Sequence, residues 1–292
     1  MGGQGIREMT AADVEAVGEV ARAALTLDTR EAPALLARLL EPPRERGWTA
    51  LVTEDLTGVL LASMSGAAPR GHIDLLAVAP EARGRGRGRA LVEAAEEWMR
   101  GRGATEARFA GNPPCYAWPG VDVRYTPAAC LAERLGYGWY GTAWNMTADL
   151  TGDLSVETDL ARLAEAGVAV HKATRRDLGA VAAFVETHWG GNWAWETEQA
   201  TGCHYASRDG EIIGFAAWGA RPAWFGPTGV AEAARGLGVG QVLLRRCLAE
   251  QRDSGLTEAQ ISWVGPLRFY SRAVGARVER VFWLYRRELG RP

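Results

Sequence analysis

Residues 80–98, PEARGRGRGRALVEAAEEW, alternate four arginines with three glycines directly before a stretch that has the apolar spacing of a helix. Residues 231–250, AEAARGLGVGQVLLRRCLAE, repeat this plan at a constant offset of 152 positions, so that Arg83 aligns with Arg235. Self-similarity at a fixed spacing indicates a duplicated structural unit. The chain is therefore predicted to contain two copies of one loop-and-helix element.

The glycines, rather than the arginines, are what the two copies share. Leu237, Val239 and Gln241 replace three of the arginines in the second copy, whereas all three glycines remain. Glycines at alternate positions permit positive φ angles, and successive N–H groups that open a helix form a concave anion site. This pattern predicts a phosphate-binding loop and argues against an arginine-glycine tract for nucleic acid. Neither copy has the Gly-Lys-Ser/Thr of a Walker loop or the glycine spacing of a Rossmann turn.

Further similarity extends the two copies over most of the chain. Residues 133–146 align with 272–285 at an offset of 139, so the first copy carries 13 additional residues, which we place in 112–127. Each copy reads as strand, helix pair, hairpin, strand, glycine loop, helix, strand, helix and strand, which is an α/β order. In the second copy, the hairpin is predicted to turn at Asp209-Gly210.

Domain boundaries follow from this reading. The polar stretch 151–167 interrupts the repeat and is the expected linker. We therefore expect an N-terminal domain at 1–150 and a C-terminal domain at 168–292.

The composition limits the classes of protein to which the chain can belong. Of the 292 residues, 47% are hydrophobic, which is enough for a sizeable buried core. The 33 basic and 35 acidic residues give a formal charge of −2, so no overall field attracts nucleic acid or an acidic membrane. The N-terminal MGGQGIREMT lacks the apolar core of a signal peptide, and no apolar run reaches a membrane span of roughly 18 residues. The four cysteines lack zinc-type spacing. We expect a cytoplasmic protein without a metal.

The motif Arg-x-x-Gly-x-Gly, placed after a strand that ends in valine and at the opening of a helix, resembles the acyl-CoA loop of the GNAT superfamily of N-acetyltransferases. The resemblance extends over both halves, from about 5 to 149 and from 168 to 288, and the tandem arrangement is similar to that of mycothiol synthase. It implies two tandem GNAT-like α/β domains, each a mixed, mostly antiparallel sheet flanked by helices, with acetyl-CoA as acyl donor. The residues implied to contact acyl-CoA are Val78, Arg83, Gly84, Gly86 and Gly88 in the first copy and Val230, Ala231, Arg235, Gly236, Leu237, Gly238, Val239 and Gly240 in the second.

The resemblance also implies a proton donor for the departing sulfur, often a tyrosine on the helix after the next strand. Tyr270 matches that position in the second copy, whereas the comparable turn of the first holds Cys130, Leu131 and Ala132. We therefore expect the C-terminal domain to be catalytic, with Tyr270 as general acid. The N-terminal domain is then expected to be non-catalytic. If the first copy were active instead, Tyr116 and Tyr125 in its insertion would be the alternative donors.

The acceptor is expected to be a small polar amine, which must lose a proton before it can attack. In the second copy the region that borders the acceptor in this family holds His188, Trp189, Trp193 and Glu196, which we predict to bind substrate. Tryptophan faces can hold a cation. The general base stays open among Glu186, His188, Glu196 and Glu198.

Other functions remain open from sequence. Both domains could hold acyl-CoA for sensing without any transfer, or the acceptor could be a protein or peptide. No nucleic-acid or membrane partner is expected, and the protein is expected to be a monomer or a homodimer.

Overall fold

A computed structural model describes residues 5–43, 45–66, 68–221 and 223–290. The chain forms two compact units. One comprises the residues up to Ala143 together with those from Val281 on, and the other spans Trp144–Arg280. The start of the N-terminal stretch, which sequence analysis expects to carry no signal peptide, lies outside the described residues.

The secondary structure follows the predicted order in each copy. The strands are β1 (Ile6–Glu8), β2 (Trp48–Thr53), β3 (Gly58–Met64), β4 (Arg70–Val78), β5 (Glu106–Phe109), β6 (Val121–Asp122), β7 (Gly138–Asp149), β8 (Val168–Lys172), β9 (Gly202–Arg208), β10 (Glu211–Trp218), β11 (Trp224–Val230), β12 (Glu258–Ile261) and β13 (Arg277–Glu288). The helices are α1 (Val14–Ala24), α2 (Ala32–Leu40), α3 (Arg87–Arg100), α4 (Thr126–Arg134), α5 (Glu157–Glu165), α6 (Leu178–Trp189), α7 (Gly191–Glu198), α8 (Val239–Asp253) and α9 (Leu267–Val274).

The sheet of the first unit has the strand order β1-β2-β3-β4-β5-β13. Neighbouring strands are antiparallel from β1 to β4, whereas β4 and β5 are parallel. The last strand comes from the end of the chain, because Tyr285–Glu288 of β13 pair antiparallel with β5. The α3 helix covers this sheet with an apolar face on which Leu91, Ala95 and Met99 are fully buried, as its helical spacing predicts.

The sheet of the second unit has the corresponding order β8-β9-β10-β11-β12-β7. Here β11 and β12 are the parallel pair, and Met146–Asp149 of β7 pair antiparallel with β12. Asp209 and Gly210 both have positive φ at the predicted β9–β10 hairpin turn, which matches the right-handed twist of the strands.

The two units differ from the linear division expected at 150 and 168. Each sheet is completed by a strand that the linear division assigns to the other domain, so sequence order does not delimit the units. The expected linker 151–167 contains α5, whose Leu163 is fully buried in the core of the second unit. None of the described helices combines the length and the apolarity needed to cross a bilayer.

Candidate functional site

Both glycine loops have the backbone shape that their sequences predict. Gly84 and Gly86 have φ angles of 74° and 84°, and Gly236 and Gly238 have 86° and 85°. Side chains rarely adopt this region, which explains why glycine stands at these positions in both copies. Gly86 and Gly238 directly precede α3 and α8. Because the first amides of a helix have no intrahelical acceptor, each loop presents N–H groups toward an anion.

A splayed pair of strands leads to each loop. The parallel pairing of β4 with β5 covers only Arg70 to His72, after which β4 continues to Val78 without β5 beside it. In the second unit, β11 pairs with β12 only at Trp224 and Phe225. The strand edge beyond each pairing region keeps backbone groups that can bind a ligand entering the gap.

In the first unit this gap opens into a cavity of about 590 Å³. Its wall includes every residue of the loop 83–89 except Arg85, together with β4 from Ile73 to Val78 and Leu131 of α4. Trp118 and Tyr125, from the insertion placed at 112–127, complete the lining. The insertion that distinguishes the first copy therefore forms one side of its cleft.

Two acids line this cavity, Asp74 and Asp122, and Asp122 is paired with Arg124. Asp74 is the one without an ion-pair partner among the described residues. It lies on β4 where the strands diverge, and its Oδ1 has no hydrogen-bond partner among the described residues. Burial raises the pKa of Asp74 to about 7, although the Ser63 hydroxyl and the charge of Arg46 oppose the shift. A carboxyl group that titrates near neutral pH is suited to accept a proton from a reacting amine.

Tyr125 lies at the start of α4, on the insertion side of the same cavity. Its hydroxyl accepts a hydrogen bond from the Leu27 amide at 3.0 Å and donates one to Asp28 Oδ2 at 3.2 Å. Asp28 is buried and also accepts from Trp118 Nε1 at 3.3 Å. One carboxylate thus orients two aromatic side chains of the cleft. Tyr116, the other alternative donor, is buried and is not one of the lining residues.

Arg83, which the family motif implies to contact acyl-CoA, uses its guanidinium within the protein. Its Nε donates to the Val78 carbonyl at 3.1 Å and its Nη2 to the Ala24 carbonyl at 3.2 Å. These bonds join the loop to the ends of β4 and α1, and they fix the position of the loop amides. Arg87 forms an ion pair with Asp55.

Tyr270 lies in the hydrophobic core of the second unit, where it is 7% exposed. It packs edge-on against Phe225 and Phe269, with ring centroids 6.2 Å and 4.9 Å away. None of the described residues hydrogen-bonds its hydroxyl, and burial raises the pKa of Tyr270 to about 12. This environment is that of a packing residue.

One side chain of the second unit reaches its glycine loop. Arg162 of α5 donates to the Leu237 carbonyl at 2.7 Å, and a Cβ on Gly238 would overlap this arginine. A Cβ on Gly240 would lie 3.5 Å from the ring of Phe269, and a Cβ on Gly236 would meet no atom within 4 Å. Gly238 therefore accommodates the Arg162 side chain, whereas the space beside Gly236 is open.

Two of the substrate-binding residues predicted for the second copy belong to an aromatic cluster. Trp189 and Trp193 stack with ring centroids 5.9 Å apart, and Trp189 lies so close to Gly229 of β11 that a Cβ there would overlap its indole. His188 is exposed, with Nδ1 2.9 Å from the Phe184 carbonyl, and Glu196 is half-buried. The structure therefore brings the two tryptophans together but gives them a packing environment.

Sequence reasoning missed Asp74, although a signal was present. It is the one acid in the apolar stretch HIDLLAV, and the offset of 152 that aligns the loops places Gly226 at the same position in the second copy. The offset of 139 likewise places Tyr270 opposite Leu131. An aspartate in one copy and a glycine in the other distinguishes the two clefts chemically.

The fold and the loop geometry define the class of protein. The model of the acetyltransferase (GNAT) family matches residues 15–117 and 182–275, and the chain belongs to that family. It contains two GNAT units and is an acyltransferase of a family that generally uses acetyl-CoA. Among curated proteins, no sequence matches this chain significantly.

Solved structures with the same fold cover almost all of the chain. A tandem GNAT protein from the clavulanic acid biosynthesis pathway is 21% identical, with 98% of each chain covered and a TM-score of 0.72. A GCN5-related N-acetyltransferase from Sphaerobacter thermophilus is 21% identical over 98% of this chain and 96% of the other, with a TM-score of 0.69. A glucosamine N-acetyltransferase region of a fungal multi-domain β-N-acetylglucosaminidase is 18% identical, with a TM-score of 0.77. That match covers 97% of this chain, which spans 38% of the fungal one.

Proposed function

We propose that the protein transfers an acetyl group from acetyl-CoA to the amine of a small polar molecule, and that the transfer takes place in the first copy. The cavity of about 590 Å³ that joins the first glycine loop to Asp74 carries this proposal. The expectation that the C-terminal domain is catalytic, with Tyr270 as acid, stays a prediction. The core position of Tyr270 and the glycine opposite Asp74 favour the first copy instead.

The residues of the first copy fit the diphosphate of CoA. A Cβ at Gly84 would meet no other atom within 4 Å, so the space beside the loop is open. The amides that open α3, supported by the helix dipole, would hold the two phosphate groups. The unpaired edge of β4 would hold the pantetheine arm and place the thioester carbonyl at a backbone N–H, which stabilises the charge that develops on its oxygen.

Asp74 and Tyr125 would handle the protons. Acetyl-CoA supplies an activated acyl group, so the amine nitrogen forms a bond to the carbonyl carbon as the carbon–sulfur bond breaks. Asp74 accepts the proton that the nitrogen loses, and Tyr125 donates one to the departing sulfur. The Asp28 carboxylate holds the Tyr125 hydroxyl in place before the reaction. A protein that only stored acyl-CoA would have no use for an acid that titrates near neutral pH inside the cleft.

The surroundings of Asp74 support a small acceptor. Asp74 is half-buried where it lines the cleft, and beside it lies a second cavity of only about 10 Å³, bordered by Arg46, Trp48 and Cys115. An amine on a slender molecule can reach such a group, whereas a folded protein substrate would need a broad opening. This observation favours a metabolite over a protein or peptide acceptor.

Gly84→Ala and Gly236→Ala form a matched pair of variants that tests which loop holds the cofactor. Both glycines have positive φ and open space at the Cβ position, so each change introduces a similar backbone strain of about 1–2 kcal/mol. Binding of acetyl-CoA would be measured by calorimetry, and transfer by release of free thiol with a panel of amines. We expect Gly84→Ala to abolish both signals and Gly236→Ala to retain them, whereas the reverse result would assign the reaction to the second copy.

A further inference from the structure

Five arginine side chains line the cleft of the first copy, more positive charge than a diphosphate on helix amides requires. They are Arg83, Arg87, Arg89, Arg124 and Arg134. Three of them are committed to partners within the protein. Arg83 binds two backbone carbonyls, Arg87 pairs with Asp55, and Arg124 forms a two-pronged pair with Asp122 at 3.0 Å and 2.8 Å.

Arg134 and Arg89 remain available to a ligand. Among the described residues, Arg134 has no hydrogen-bond or ion-pair partner, and its side chain is exposed at the end of α4. The nearest carboxylate to Arg89 is that of Glu93 at 3.9 Å, and both side chains are about half exposed. An exposed ion pair at this separation contributes little stability, so a ligand that carries more negative charge can displace Glu93 from Arg89.

These two side chains flank the same part of the loop. Leu131 of α4 lies 3.1 Å from the position of a Cβ on Gly88, so α4 packs against the beginning of α3. Arg134 follows Leu131 by three residues, on the same face of α4. Arg89 follows Gly88 directly. The pair therefore borders the end of the cleft at which the loop amides lie.

The second copy lacks both charges. The loop offset of 152 places Gln241 opposite Arg89, and the offset of 139 places Ala273 opposite Arg134. The second copy thus retains the glycine loop without the two arginines. Because only the first copy has the two arginines, we infer that they bind a ligand of the first copy.

We propose that Arg89 and Arg134 form a subsite for a phosphate monoester, the 3′-phosphate on the ribose of CoA, and that the first copy thereby distinguishes CoA from dephospho-CoA. The inference rests on the proposed function, because it assumes that the loop amides hold the diphosphate. A phosphate monoester carries a charge of about −1.5 to −2 at neutral pH. Two guanidinium groups match this charge and bind phosphate oxygens in pairs.

Calorimetric titration of the full chain with CoA and with dephospho-CoA tests the subsite. We expect the wild type to bind CoA at least about tenfold more tightly, since charge-assisted contacts of this kind change affinity by that order. The double variant Arg89→Gln, Arg134→Ala introduces the residues of the second copy. This double variant should reduce the ratio of the affinities for CoA and dephospho-CoA to below about threefold. Its affinity for dephospho-CoA should differ from that of the wild type by less than about twofold.

The control is Arg85→Ala, which removes a charge from the same loop at a position outside the cavity lining. It should leave the ratio of the two affinities unchanged. The subsite is wrong if the double variant keeps the tenfold ratio, or if it weakens both ligands equally. If Gly84→Ala does not weaken CoA binding, the proposed function fails first and the subsite with it. If Gly84→Ala abolishes binding but the ratio is insensitive to the arginines, only the subsite fails.

Discussion

Asp74 and Tyr125 line the same cavity of the first unit, one on β4 and the other at the start of α4. The carboxyl group of Asp74 has its pKa raised to about 7 by burial, and the Tyr125 hydroxyl is held by the buried Asp28. The proposed proton acceptor and the proposed proton donor therefore border one cleft, next to the first glycine loop. In the second unit Gly226 occupies the position of Asp74, and Tyr270 is part of the core.

Replacing Asp74 with asparagine removes the proposed base without changing its size. We expect kcat to fall by about 10²- to 10⁴-fold, the usual contribution of general base catalysis. In the wild type, kcat/KM should rise with pH through about 7, because the base must be ionised, and this limb should disappear in the variant. Asp149→Asn, on an exposed residue of the second unit, is the control. A variant with wild-type turnover would exclude Asp74 as the base.

The same substitution should increase stability above neutral pH. The folded-state pKa of Asp74, about 7, lies above its ordinary value of 3.8, so the folded protein binds a proton that the unfolded chain has released. The stability connected with this proton is fully present below pH 3.8 and is lost as the pH rises through about 7. A shift of this size corresponds to at most about 4 kcal/mol.

Urea unfolding at pH 4 and pH 8 measures this effect. Because Asp74 is only half-buried, its desolvation is incomplete, and we expect Asp74→Asn to raise the free energy of unfolding at pH 8 by about 1–3 kcal/mol. At pH 4 the variant and the wild type should be nearly equal. A variant that is less stable than the wild type at pH 8 would contradict the raised pKa of the Asp74 carboxyl group.

Tyr125→Phe and Tyr270→Phe separate the two candidate acids. Removing the Tyr125 hydroxyl should lower kcat by about 10- to 100-fold with little change in the KM for acetyl-CoA, since a proton donor acts mainly in the transition state. Tyr270→Phe should leave kcat within about twofold, because the Tyr270 ring packs in the core of the second unit and the proposed reaction takes place in the first. Steady-state kinetics with a thiol-detecting reagent measures both. A loss of kcat in Tyr270→Phe alone would restore the C-terminal assignment.

Glu96 should be essential for the stability of the first unit. It is 2% exposed and accepts hydrogen bonds from Tyr137 at 2.8 Å, Arg100 at 3.0 Å and Arg287 at 3.1 Å. Glu96→Ala leaves two arginines without their buried partner and should reduce the free energy of unfolding by about 3–5 kcal/mol. The adjacent, exposed Glu97 is the control, and Glu97→Ala should change the free energy of unfolding by less than about 0.5 kcal/mol. Equal effects of the two substitutions would contradict the network.

The architecture of each copy was predictable because its signals are local. Alternating glycines permit positive φ whatever the tertiary context, so the phosphate-loop shape of Gly84 and Gly86 was predictable from sequence. The hairpin at Asp209-Gly210 was predicted for the same reason. The exchange of terminal strands was not, because β7 and β13 align with each other in the repeat, so that local sequence does not tell which sheet each strand completes.

The sequence by itself determined the duplication, the two loops, the position of the insertion and the resemblance to the GNAT family, all of which depend on residue identity and spacing. Only the tertiary structure revealed the cleft of the first copy. That cleft forms because residues distant in sequence, such as Asp74, Trp118 and Leu131, line one cavity. The tertiary structure also decided the chemistry of Asp74. Its proton affinity is determined by the water that packing removes from around the carboxyl group, and spacing along the chain carries no information about that burial.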